Sequence, residues 1–471
     1  MTGEQVVQQA NAYFDSGAFR QVLARRIALQ TESQRQDRDA LLMQYLQQEI
    51  MPPLRALGFE LHLCDNPEAA NRPFLIAVRI EDPALPTLLS YGHGDVVFGD
   101  DDNWRSDLSP WQLHEEGDRW YGRGSADNKG QHSINLAALE QVFQARGGRL
   151  GFNCKLIFEM GEEISSPGLA EICRRQRDLL QADLFIASDG PRLNAMQPTL
   201  FLGSRGCVNF RLSIRARDNA YHSGNWGGLL SNPGIQLANA LASLVNQHGQ
   251  LQVAALQPPA LDDAMRAILR ELDVGGQPHD PQIDENWGET GLTPSERLYG
   301  WNTLEVLAYQ TGNPQRPMNA IPASATAVCQ LRFVVGTDWQ RLVEHLQAHL
   351  QAHGFGNVEV EWLRGSPATR LDPQDPLVHW ALDIMQRTSG KKPALLPNLG
   401  GSLPNDVFAD ILGLPTLWVP HSYPACGQHG VNEHMLQSIA REGLQIMTRL
   451  FWDLGENGGD VLAQRRREAT R

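Results

Sequence analysis

Three short apolar runs in this chain each end in a side chain able to hold a metal, and a fourth precedes one. Thr87–Ser90 leads into Tyr91-Gly92-His93-Gly94-Asp95-Val96, Lys155–Met160 into Gly161-Glu162-Glu163, and Asp183–Ser188 into Asp189-Gly190. Pro415–Val419 comes before Gln428-His429-Gly430. The runs have the length of buried strands, and helical stretches separate them. The clearest helix opens after Tyr121-Gly122-Arg123-Gly124-Ser125-Ala126-Asp127-Asn128-Lys129-Gly130 and runs to about Ala145. Strands alternating with helices predict an α/β fold with a mainly parallel sheet and helices on both faces. In such sheets ligands bind at the carboxyl edge of the strands. The residues at these strand ends are therefore the candidates for function.

Between the third and fourth runs the pattern changes. Val208 to Arg217 and Ala325 to Val335 alternate apolar with polar residues, as half-exposed antiparallel strands do. A helix is expected from Asn232-Pro233 to about Asn246, a turn-rich loop over Gly275–Gly300, an amphipathic helix over Asp338–Ala352 and a strand over Val358–Leu363. This block reads as an inserted α+β domain. The expected division is a catalytic domain over residues 1–203, an inserted lid and dimerisation domain over 204–365, and the rest of the catalytic domain over 366–471. In the flanks, residues up to about 50 look helical until Pro52-Pro53 stops the pattern, and Phe59–Leu63 and Phe74–Ile80 read as strands. Helices are expected over Pro376–Arg387 and from Glu433 to about Asp453, with Arg465-Arg466-Arg467-Glu468 as a frayed end.

Composition removes several classes of function. A net charge of −14 leaves no electrostatic footprint for nucleic acid or an anionic membrane. No apolar run is long enough to span a bilayer. The start, Met1-Thr2-Gly3-Glu4-Gln5, lacks the basic and apolar regions of a secretory signal. Cys64, Cys154, Cys173, Cys207, Cys329 and Cys426 are scattered without CxxC pairs, which suits free thiols in the cytoplasm.

His93, Asp127, Glu162, Glu163, Asp189 and His429 make a donor set of two imidazoles and four carboxylates. Such a set suits Zn²⁺, with Mn²⁺ or Co²⁺ as alternatives. One carboxylate can serve two ions, and a two-metal site activates water and polarises a bond for hydrolysis. Of the vicinal pair Glu162-Glu163, one can ligate while the other acts as general base. Asp95, two residues past His93, is placed to orient its imidazole. Each of these could singly be an ordinary surface residue. Their shared position at strand ends and a helix start argues against that for all of them.

Further motifs make the pattern more specific. Alongside the glycine-flanked His93 stretch and the Tyr121–Gly130 stretch stand Met160-Gly161-Glu162-Glu163, Ser188-Asp189-Gly190, His222-Ser223-Gly224 followed by Gly227-Gly228, Asn319-Ala320-Ile321-Pro322 with Arg332, Gly400-Gly401-Ser402-Leu403-Pro404, and His429 with Asn432-Glu433. In this order they resemble the M20 family of metallopeptidases, and within it the cytosolic, carnosinase-like dipeptidase branch. Residue by residue, the resemblance implies that Asp127 bridges two metal ions, with His93 and Asp189 completing one site and Glu163 and His429 the other. It implies that Glu162 is the general base for a water bridging the ions, and that Asp95 braces His93. His222 would reach the partner subunit's active site in a homodimer and stabilise the oxyanion. Arg332 and Ser402 would hold the substrate's C-terminal carboxylate, and Asn319 stands at a further substrate-binding position. The Asp127-Asn128 peptide matches a family position that is often cis.

Two stretches depart from the family pattern: Leu108-Ser109-Pro110-Trp111 stands where Asp-Pro-Phe is usual, and Asn319 where Thr is common. Both bear on specificity more than on chemistry. The expected reaction is hydrolysis of dipeptides or short peptides with a free C-terminal carboxylate. The alternative is an N-acyl-amino-acid amidohydrolase of the deacetylase or desuccinylase type, since the same metal site serves both. The length of the inserted block and the stretch from Glu296 to Gly312 favour the dipeptidase. A catalytically silent scaffold is the third reading, and the complete donor set with Glu162 argues against it. The remaining histidines, His279 among them, are given no role.

Overall fold

The computed structural model describes residues 1–277 and 280–469, so His279 lies outside it. The chain forms two compact units. One comprises Met1–Gly203, Leu371–Pro397 and Leu403–Arg471, and the other Ser204–Arg370 with Asn398–Ser402. Residues 398–402, Ser402 among them, thus group with the inserted segment.

The first unit is built on an eight-stranded sheet. Its spatial order is Glu60–Cys64, Phe74–Arg79, Asn153–Glu159, Thr87–His93, Leu184–Ala187, Thr416–Trp418, Thr199–Phe201 and Ala394–Leu396. The centre is parallel, while the first three strands pair antiparallel. Asn153–Glu159 is buried along its whole length, as a central strand covered on both faces must be. The helices Gly3–Asp15, Lys129–Ala145, Pro376–Ser389 and Gln437–Ala469 pack around the same apolar core. Tyr91, Phe185, Phe201, Phe408 and Trp418 stack in an aromatic cluster. Parallel register sets His93 beside Glu159, so adjacent strands deliver their terminal loops to one edge.

The second unit is a four-stranded antiparallel sheet in the order Thr303–Thr311, Ser324–Phe333, Gly206–Arg215, Glu359–Ser366. Phe210 pairs with Cys329 and Leu212 with Ala327. Alternate residues such as these join the helices Pro233–Leu244 and Leu342–Ala352 in a separate core. Asn232 caps the first of these helices by accepting from the N–H groups of Gly234 and Ile235.

Four expectations are corrected. Pro52 and Pro53 do not end a helical run; they occupy the first turn of Met51–Ala56, where a missing N–H costs nothing. The expected loop Gly275–Gly300 contains the helix Pro294–Tyr299, started by a capping box between Thr293 and Glu296. Thr303–Thr311 is an edge strand that the sequence reading left unassigned. The last helix does not stop near Asp453, and its tail is not frayed there. Gln437–Ala469 is continuous through Gly455, where an added Cβ would lie 2.8 Å from the Leu150 carbonyl oxygen. Glycine here permits close packing instead of breaking the helix, and Arg465 Nε is held by Asp375 at 2.7 Å.

All six cysteines are free. Among the described residues no helix is long and apolar enough to cross a membrane.

Candidate metal centre

His93 ends the strand Thr87–His93 with its side chain fully buried. Its Nδ1 lies 3.1 Å from the Asp95 carbonyl oxygen and 3.4 Å from Asp95 Oδ1. Asp95 also accepts from the N–H groups of Glu162 at 3.2 Å and Glu163 at 3.1 Å. One buried carboxylate therefore fixes the imidazole and the one-turn helix Glu162–Ile164 together.

Asp127 stands just before the helix Lys129–Ala145, and its peptide to Asn128 is cis. Glu433, 1% exposed, accepts from the N–H groups of Ala126 and Asp127 at 2.9 and 3.1 Å and from Arg123 Nη1 at 2.8 Å. Asn128 Nδ2 donates to the Ser188 carbonyl at 2.8 Å. Gln131 Nε2 donates to the carbonyls of Ala126 and Gly190, at 2.9 and 3.2 Å. The loops bearing Asp127 and Asp189 are thus tied to each other behind the centre.

The donors form two groups that share one carboxylate. His93 Nε2 lies 3.0 Å from Asp127 Oδ1 and 3.7 Å from Asp189 Oδ2. His429 Nε2 lies 3.0 Å from Asp127 Oδ2 and 3.1 Å from Glu163 Oε2. Around a tetrahedral zinc ion with bonds of about 2.0–2.2 Å, donors stand roughly 3.3–3.6 Å apart. Both groups are close to that spacing. Asp189 Oδ2 is buried and has no hydrogen-bond partner, an orphan that a cation would satisfy. The residues present fit divalent ions in two donor groups that have Asp127 in common.

Charge points the same way. Burial, then the charge of Asp127, pushes Glu163 up to about 7 and Asp189 up to about 6. Burial would raise Asp127 as well, but hydrogen bonds from His429 and His93 carry it below the usual carboxylate range. Hydrogen bonds to Asp127 and Glu163 raise His429 to about 11. Burial opposes the proton on His93, yet its bonds to Asp127 and Asp95 hold it well above the ordinary imidazole value. Without ions, protons on the two imidazoles offset the acidic cluster. Glu162 belongs to neither donor group, and burial raises its carboxyl well above the ordinary range.

A third cluster, Asp107, His114 and Glu116, has similar spacing. Its acids are exposed, and Arg105 already pairs with Asp107 and Glu116. It is not a comparable site.

The remaining candidates lie in the second unit. His222 is exposed at the end of the two-residue strand Tyr221–His222, where its Nδ1 accepts from the Gly224 N–H at 3.1 Å. The Asn319 carbonyl accepts from Ser223 N–H and Oγ–H, at 2.9 and 3.1 Å. Arg332 Nη1 donates to Ser402 Oγ at 2.9 Å. The structure therefore brings together His222 with Asn319, and Arg332 with Ser402. The sequence reading gave no role to Glu433, Arg123, Asn128 or Gln131. Their one sequence signal was membership in the same motif stretches as the ligands, and nothing there distinguishes a brace from a bystander.

The sequence profile of Peptidase family M20/M25/M40 matches residues 89–453. The chain is 34% identical over 404 residues to the Beta-Ala-His dipeptidase of Homo sapiens, covering 82% of this chain and 78% of that one. It is 26% identical over 403 residues to the Cysteinylglycine-S-conjugate dipeptidase of Corynebacterium striatum, covering 81% and 83%. An M20 family metallo-carboxypeptidase from Sulfolobus solfataricus has the same fold, with a TM-score of 0.76 at 22% identity, over 93% of this chain and 99% of that one.

Proposed function

The chain belongs to peptidase family M20/M25/M40, and from that premise we propose that it is a dinuclear metal-dependent dipeptidase, cleaving the amide bond of dipeptides or short peptides with a free C-terminal carboxylate. The observation that carries this reading is the pair of donor groups sharing Asp127, with Glu162 beside them and outside both. The choice of dipeptides over N-acyl amino acids is supported by the names of the two curated relatives.

His93, Asp127 and Asp189 would hold one ion, and Asp127, Glu163 and His429 the other. Two divalent ions there, zinc by donor chemistry, would lower the pKa of attacking water and polarise the scissile carbonyl. Glu162 accepts the proton from that water and delivers it to the leaving amine. Burial raises its carboxyl, and divalent ions in the adjacent groups would favour its charged, proton-accepting form. Asp95 holds His93 and both glutamate N–H groups in register. In the second unit, Arg332 and Ser402 would receive the substrate carboxylate, with Asn319 contributing to substrate binding. His222 would stabilise the oxyanion in the partner subunit of a homodimer.

A dimer through the inserted unit is supported by its exposed apolar side chains. These include Val306, Leu307 and Tyr309 on the edge strand of its sheet, with Trp226 and Leu229 near His222 in sequence. Six free thiols support a reducing, cytoplasmic setting. The test is a panel of dipeptides and N-acetyl amino acids assayed with Zn²⁺, Mn²⁺ and Co²⁺. Dipeptides should be cleaved, and a chelator should abolish turnover. Hydrolysis of N-acyl amino acids alone would transfer the assignment to the amidohydrolases.

A further inference from the structure

Arg205 lies in the second unit beside the carboxylate-binding pair proposed above, and it holds three hydrogen bonds to one short segment. Its N–H donates to the Leu399 carbonyl at 3.1 Å, its Nε to the Gly400 carbonyl at 2.9 Å, and its own carbonyl accepts from Ser402 Oγ at 3.0 Å. Ser402 Oγ in turn accepts from Arg332 Nη1. The single hydroxyl proton of Ser402 is thus committed to Arg205. The guanidinium N–H groups are the donors already free for an incoming anion, and Ser402 would turn from Arg205 to join them.

The second feature is electrostatic. Arg205 is 6% exposed, and its Nη1 is buried with no hydrogen-bond partner. Among the described residues no carboxylate forms an ion pair with it. Burial, then the like charge of Arg332, lowers its guanidinium to about 10. Two guanidinium groups repel each other here, and the one carboxylate whose charge acts on Arg205, Glu305, forms no ion pair with it, an arrangement that an incoming anion would relieve.

We propose that Arg205 is a positioning residue for the substrate's terminal carboxylate. It clamps Gly400–Ser402 in place and adds a buried positive charge behind Arg332, so that the pocket favours a carboxylate over a neutral end. This rests on the peptidase reading above.

The test compares Ala-Ala with Ala-Ala-amide on metal-loaded wild-type enzyme and the variants Arg205→Met and Arg205→Lys. Melting temperature and metal content serve as controls for folding. Arg205→Met should lower the preference for acid over amide, measured as the ratio of kcat/KM values, by roughly 10–100-fold. The loss should appear mainly in KM. Arg205→Lys keeps the charge but not the fork, and should recover part of the preference. Calorimetry gives a second readout: free alanine should bind wild type more tightly than alaninamide does, and Arg205→Met should erase that difference. An unchanged acid-to-amide ratio in Arg205→Met, or an equal loss for both substrates, overturns the role of Arg205 and leaves the dipeptidase reading standing. Wild-type enzyme that cleaves neither substrate overturns the dipeptidase reading instead, and the calorimetric comparison then decides the role of Arg205 alone.

Discussion

Glu162 and Glu163 are adjacent in sequence and share a one-turn helix, yet only Glu163 reaches an imidazole, 3.1 Å from His429. On that difference rests the proposal that Glu162 carries the proton and Glu163 ligates. Glu162→Ala should reduce kcat by roughly 10²–10⁴-fold or more while metal content stays near wild type. Near-normal kcat in this variant would remove Glu162 from the chemistry. Asp127 gives one oxygen to each donor group, so Asp127→Ala should lose both ions, whereas His93→Ala or His429→Ala should weaken mainly one. Elemental analysis distinguishes these cases, and a single ion per fully active wild-type chain would exclude the dinuclear reading. Metal binding should also depend on pH. Glu163, near 7, and Asp189, near 6, are raised in the ion-free pocket and must lose protons to ligate, and so must His93 and His429, whose raised values extend the rise in affinity above pH 7. Affinity should therefore rise with pH through that range and fall below it, as titration with a chelator-buffered metal would show. Affinity that falls as pH rises from 6 to 7 would contradict this assignment.

At the scale of elements, the centre depends on loops held by groups that touch no ion. Asp95 joins the end of one strand to the turn following its neighbour. Asp95→Ala takes the carboxylate from His93, leaving it the backbone carbonyl, and unpairs two N–H groups at once. Metal affinity should fall roughly 10–100-fold, with secondary structure by circular dichroism unchanged. Wild-type affinity in this variant would show that the turn holds itself. The C-terminal helix offers a test of packing. Gly455→Val would push a branched side chain into the Leu150 carbonyl and the Arg146 guanidinium. It should cost about 1–3 kcal/mol by denaturant unfolding. No loss of stability would mean that the helix can shift away at this point.

For the whole molecule the question is whether one chain suffices. If His222 serves the partner's site, His222→Ala and Glu162→Ala chains should complement each other. A mixed dimer then holds one site with both an intact base and a donated His222. With random exchange half the dimers are mixed and each has one good site of two, so activity should return to about a quarter of wild type. A monomer by light scattering at micromolar concentration would exclude this. So would demonstrated subunit exchange with no return of activity, and His222 would then act within its own chain or not at all.

The sequence by itself determined the sheet and its donor residues, because both follow from local pattern. Buried parallel strands are mostly apolar, so a histidine or carboxylate just past such a run stands out, as His93, Glu163 and Asp189 do. The alternation in Gly206–Arg215 and Ser324–Phe333 marked the antiparallel sheet for the same reason. Where the local pattern was ambiguous, tertiary contacts decided. Gly455 sits where Leu150 needs the space, and Thr303–Thr311 lacks clean alternation because its register shifts between Val306 and Ala308. Only the tertiary structure could show that Glu433 holds Asp127 from 306 positions away, or that Arg205 feels the like charge of Arg332 while its own Nη1 is buried without a partner. Such roles depend on what a side chain meets after the chain has folded back on itself, and no spacing along the sequence encodes that meeting.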